Sequence, residues 1–145
     1  MLFELLATLC AGLFAGAAIY ITLVEHPARL ECGTELAATE FGPSYRRAAL
    51  MQASLAGVGL LAALVAWVQG RGLPVLLGGL LLGVVIPFTL SVTLPTNKRL
   101  LDPGLDRAST EAAALLARWG QLHAVRSVVS GLAFGLLLWH LAGPG

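Results

Sequence analysis

Four stretches of this chain, residues 2–24, 48–69, 73–94 and 120–142, each supply the roughly 20 predominantly apolar residues that a helix needs to cross a bilayer. A soluble core of this size neither needs nor hides so much apolar surface. Of the 145 residues, 57% are hydrophobic and 12% charged, against about 45–50% and 25% in soluble domains. The expected fold class is all-α: an integral-membrane, antiparallel four-helix bundle forming one transmembrane domain over 1–145. A net charge of +1 leaves no basic footprint for nucleic acid.

The first stretch lacks the basic start and small-residue cleavage site of a leader, carries Glu4 where a lysine would sit, and runs on past Tyr20. It therefore reads as a retained span. The second and third spans are joined by the tight link Gln69-Gly70-Arg71-Gly72-Leu73-Pro74. The connections 25–47 and 95–119 are longer and carry nearly all the charge. Alternation puts both on one side. That side holds Arg29, Arg46, Arg47, Lys98, Arg99, Arg107, Arg118 and Arg126; the other has Arg71 alone. The positive-inside rule then makes the long-loop face cytoplasmic and both termini external, in a multi-pass protein of the inner cell membrane. Cys10 and Cys32 lie 22 residues apart, about 33 Å along a continuous helix, too far for a disulfide.

Gly12-x3-Gly16, Gly79-x3-Gly83 and Gly131-x3-Gly135 are small-xxx-small motifs for close helix packing, within one protomer or in a homo-oligomer. Pro87 should kink the third helix. Ser109 or Thr110 can cap a fourth helix that opens at Glu111 and runs to Ala142. That is about 50 Å against a hydrocarbon core of about 30 Å, so its first turns stand in the headgroup zone.

Polar residues near hydrocarbon are costly, and here they gather at the cytoplasmic end. Helix 1 finishes with Tyr20, Glu25 and His26; helix 2 begins with Tyr45-Arg46-Arg47, with Gln52 just inside; helix 3 ends at Asn97; helix 4 brings Trp119, His123 and Arg126. The last three stand at i, i+4 and i+7 on one helix face, continued by Ser130. Arg126 lies some 24 Å from the far end of its helix. It should face the interior and pair, with Glu25 as the expected partner. Arg46, Arg47, Lys98 and Arg99 read as headgroup anchors, and Trp67, Trp139 and His140 as outer-interface residues.

The motifs A-G-x-x-A-G-x-x-x-Y at Ala11–Tyr20, E-H-P at Glu25–Pro27, P-T-N-K-R-L at Pro95–Leu100 and W-x-x-x-H-x-x-R at Trp119–Arg126 together resemble the anthrone oxygenase-like family. This is a group of small four-span membrane proteins that includes fungal anthrone oxygenases, and the resemblance runs over nearly the whole chain. It implies oxidation of a phenolic polyketide methylene to a carbonyl by O2 without a cofactor. An anthrone is a carbon acid whose delocalised anion can itself react with O2. Catalysis then needs a base, for which His123 or His26 is suited, and oxyanion donors, for which Arg126, Asn97 and Tyr20 are suited. Glu25 joins this set as the partner of Arg126, while Trp119 could stack on a flat substrate and Gln52 line its site.

Two other readings stay open. His26 and His123, with Glu25, offer donors for iron or copper, or the two histidines for a haem. Alternatively the chain is a non-enzymatic transporter subunit or a membrane protein that binds lipid or a lipophilic small molecule. The apolar span centres favour a one-ended site reached from the bilayer over a transport path.

Overall fold

The computed structural model describes residues 1–143. Four helices, each long and apolar enough to cross a membrane, make up the fold: α1 (Leu2–Glu31), α2 (Thr34–Val68), α3 (Leu73–Leu100) and α4 (Thr110–Ala142). There is no strand among the described residues. The antiparallel bundle expected from the four apolar stretches is thus present, but its helices are longer than those stretches.

The connection 25–47 is the main departure. It was expected as a charged loop, yet helix runs through it on both sides of a two-residue turn at Cys32 and Gly33. Gly33 adopts φ +94°, a conformation without Cβ penalty only for glycine. Pro43 lies inside α2 without ending it. The turn between α2 and α3 is closed by a Schellman arrangement: the Gly70 N–H bonds Trp67 O at 2.9 Å and the Arg71 N–H bonds Ala66 O at 3.2 Å. Ser109 caps α4 as expected, its Oγ accepting the Ala112 N–H at 3.1 Å. The loop before it is tied down by Asp102, which accepts the Gly104 N–H at 2.8 Å and Arg99 Nη1 at 2.8 Å. These bonds hold its carboxyl below the usual range.

Prolines shape the two helices that supply the site. Pro27 and Pro95 cannot donate to the carbonyl four residues earlier. In each case the chain takes a π turn just ahead, at Ile21–Glu25 in α1 and Thr89–Thr93 in α3. One extra residue in a turn advances everything beyond it by about 100° around the helix axis. Ahead of Pro87 the α-helix is interrupted at Val84, whose backbone stays in the helical region.

One half of the bundle is a filled apolar plug. Ala7, Ala11, Ala56, Ala63, Leu82 and Leu137 are buried in it together. Gly79 sits against Ala63, and Gly83 against Leu60, so this small-xxx-small motif does join α3 to α2. Gly12 abuts Phe134, whereas Gly16, Gly131 and Gly135 have open space around them. At the plug's outer end Glu4 is buried and meets His140 Nε2 at 3.0 Å and Arg71 Nε at 3.4 Å. His140 thus anchors a carboxylate that had no partner in the sequence. The other half holds a second cluster, with Phe41, Leu100, Leu105, Leu116 and Trp119 at its centre.

Adding a methyl at Gly79 would drive it into Ala63 with backbone behind. Gly79→Ala should therefore cost about 1–3 kcal/mol in detergent unfolding, the usual range for overpacking. Gly131→Ala, with open space around it, should leave stability unchanged.

Candidate functional site

Arg126, on α4 at the basic end, is buried to 9% exposure. Its Nη2 donates to Gln52 Oε1 at 2.7 Å, its Nε has no hydrogen-bond partner, and its guanidinium carbon lies 5.6 Å from the Phe14 ring centroid. Among the described residues no carboxylate forms an ion pair with it. The expected Arg126–Glu25 pair is therefore absent. Glu25 instead binds Arg29 and accepts from Ser44 Oγ at 2.7 Å. Two features explain the difference. Arg29 is the i+4 neighbour of Glu25 on the same helix, and Glu25 closes the π turn, whose extra residue turns it toward Ser44 on α2.

Beside Arg126 lies a chamber of about 200 Å³ between α2 and α3, floored by Phe14 and walled by Gln52, Ala56, Val85 and Thr89. It exists because α3 packs closely on α2 only as far as Val84 and then draws away. Leu90 stands at its rim and is exposed on the bundle surface, so the chamber opens sideways, where lipid would be. For scale, an apolar cavity of about 150 Å³ holds benzene.

Tyr45, Gln52 and Arg126 also border a smaller enclosed crevice of about 20 Å³ that reaches His123, Trp119 and Arg29. Tyr45 Oη accepts from Asn97 Nδ2 at 3.1 Å, and its ring stacks on Phe41 at 5.5 Å. Trp119 packs on His123 at 4.7 Å and on His26 at 5.0 Å, with the Arg29 guanidinium 5.7 Å from its ring. His123 Nδ1 meets Thr22 Oγ1 at 3.0 Å, and that hydroxyl meets Ser127 Oγ at 2.7 Å.

Five of the expected residues thus converge: Gln52, Asn97, Trp119, His123 and Arg126. Trp119 is spent on internal stacking, bordering the crevice and not the chamber. His26 is buried, but its Nε2 donates to Leu116 O at 3.1 Å and its ring lies against Gly120; it ties α1 to α4. Tyr20 is 56% exposed and lines an outer groove with Glu25 and Arg47, away from the chamber. Tyr45, Thr22, Ser127 and Arg29 belong to the site but were not chosen from sequence. Tyr45 stood in the polar cluster without a role and Arg29 only in the charge count, and the two hydroxyls reveal themselves only once α1 meets α4.

The side chains suggested for a metal do not fit one. Glu25 is turned to Arg29 and Ser44, His26 Nε2 is engaged by a carbonyl, and the Trp119 ring packs on both imidazoles, leaving no room for a haem between them. Among the described residues no three His, Cys, Asp or Glu side chains converge.

A methyl at Gly120 would approach His26 Nε2 to 2.7 Å. Gly120→Ala should break the His26–Leu116 bond and lower stability by about 1–3 kcal/mol, read as an earlier unfolding midpoint in micelles. Gly57→Ala, at a position with open space, is the matched control.

The sequence model of the family described as anthrone oxygenase matches residues 41–136. Anthrone oxygenase tpcL of Aspergillus fumigatus is 39% identical over 72 residues, covering 46% of this chain and 45% of that protein. The chain thus spans about half the length of the curated relative it matches. No solved structure matches it. The family match takes in most of α2, all of α3 and most of α4, and so includes Tyr45, Gln52, Asn97, Trp119, His123 and Arg126; the chain belongs to the anthrone oxygenase family.

Proposed function

We propose that this chain is a membrane oxygenase that takes a lipophilic, anthrone- or quinol-like aromatic from the bilayer and oxidises it with O2 at its basic, cytoplasmic end. The observation that carries this reading is the buried Arg126 guanidinium, without a carboxylate, bordering an apolar chamber. A charge in hydrocarbon costs several kcal/mol unless it is compensated. A substrate that becomes an anion supplies that compensation only as it reacts, which is the condition for catalysis over mere binding.

The chemistry balances without another reductant. A base removes one proton from the ring methylene, and the delocalised anion that forms lies against Arg126. The anion passes an electron to O2, the two radicals join in a C–O bond, and the resulting peroxide loses water as the second C–H bond breaks. One O2 thus converts CH2 to C=O and H2O, with the substrate as the electron source. His123 is the base: it does not border the chamber, but it alone of the two inner histidines borders the crevice that adjoins it at Gln52 and Arg126, about 20 Å³ and so with room for about one water through which the proton passes. Gln52 orients the guanidinium, and Tyr45, held by Asn97, offers a hydroxyl at the chamber wall.

The test is oxygen-dependent formation of an anthraquinone from an anthrone by the purified protein in nanodiscs. Arg126→Met should lower kcat by about 10²–10³-fold, the usual loss of an oxyanion donor, and His123→Asn by about 10²–10⁴-fold. The double variant Gln52→Leu/Arg126→Met removes both members of the buried pair. It should unfold at the same temperature as the parent or higher, while remaining inactive. Full activity in Arg126→Met, or a double variant that is active but unstable, would make Arg126 a structural residue and end this reading.

A further inference from the structure

The hydroxyls between α1 and α4 form a hydrogen-bonded chain that ends on backbone carbonyls. Ser127 Oγ lies 2.9 Å from Ala18 O and 3.3 Å from His123 O. A carbonyl only accepts, and the nearer one, Ala18 O, is the natural taker of the Ser127 hydrogen. With its hydrogen so placed, Ser127 Oγ accepts that of Thr22 across their 2.7 Å contact. Thr22 Oγ1, its own hydrogen spent, accepts from His123 Nδ1 at 3.0 Å. His123 is thereby the Nδ1–H tautomer, and its lone pair is on Nε2. Among the described residues no side chain or carbonyl claims that second nitrogen.

We propose that Thr22 and Ser127 are positioning residues that lock His123 in the tautomer able to accept a proton at Nε2. The inference rests on the base role given to His123 above and deepens it: the direction of proton transfer is set by two hydroxyls that touch no part of the chamber. The π turn makes this possible. Thr22 lies within Ile21–Glu25, and its side chain is presented to α4, where it meets Ser127 and His123 instead of bonding back to its own helix as Thr8 and Thr39 do in regular α-helix. Outer-shell partners of this kind fix ring orientation as well as tautomer.

The experiment is nitrogen NMR of the protein carrying ¹⁵N-labelled histidine in lipid nanodiscs, with His123→Asn used to assign the signal among the three histidines. The parent should show a protonated Nδ1 and a bare Nε2 at position 123. Thr22→Val, close in shape but without the hydroxyl, should give a mixture of tautomers and lower kcat roughly 10–100-fold at unchanged KM, part of what a positioned base supplies. Thr22→Ser should restore both. Ser127→Ala, which removes only the end of the chain, should also mix the tautomers, so the proposal stays testable if Thr22→Val folds poorly. A protonated Nε2 in the parent, or a spectrum of His123 untouched by Thr22→Val and Ser127→Ala, overturns the proposal. Full turnover by His123→Asn would instead overturn the base role, whatever the tautomer.

Discussion

A guanidinium buried in the apolar bundle, answered by a single amide oxygen and an aromatic face, constrains everything around it. Desolvating Arg126 costs several kcal/mol, and the contacts to Gln52 and Phe14 return only part of that. The remainder has to come from packing elsewhere. The filled half of the bundle supplies it, with alanines and glycines allowing backbones to approach where no hydrophobic force drives helices together in lipid. Division of labour follows from this. One end holds the helices in register, and the other carries the strain of a poorly compensated charge.

The same charge explains why the basic end is not plugged as the other is. Val84 and the π turn at Thr89–Thr93 carry α3 away from α2, which leaves the chamber beside Arg126. The π turn at Ile21–Glu25 does the complementary work on α1: it sends Glu25 outward to Arg29 and Ser44 and brings Thr22 inward to His123. Had α1 stayed regular, the acid at its end would have been free to reach inward, and neutralising Arg126 would have erased the site. Pro27, by forbidding one hydrogen bond, thus keeps the carboxylate and the guanidinium apart, while Pro95 accompanies the turn that leaves the chamber open.

Much of this was legible in the sequence. Apolar stretch length gave the four spans, Ser109 announced the start of α4, and the spacing of Trp119, His123 and Arg126 placed them on one buried face. Those signals are local, and periodicity or capping reports them directly. What escaped was set by neighbours. Proline, glycine and charge between 25 and 47 looked like loop, because a π turn that absorbs Pro27 and a helix that tolerates Pro43 leave no mark in composition. The Arg126 partner was misjudged because a turn with one extra residue rotates Glu25 away, and helix phase is invisible until that residue is counted. Tyr20, an aromatic at the right depth, faces outward for the same reason that Tyr45 faces inward: depth is readable from sequence, azimuth only from packing.

The central claim is that Arg126 awaits an anion formed in the chamber between α2 and α3. A high-resolution structure with a hydroxylated anthraquinone bound, in lipid at a pH where the phenol is ionised, addresses it directly. The rings should lie between Phe14, Ala56 and Val85, with an oxygen at hydrogen-bond distance from the Arg126 guanidinium. Rings seated in the outer groove by Tyr20 and Arg47, with Arg126 still bonded only to Gln52, would contradict it.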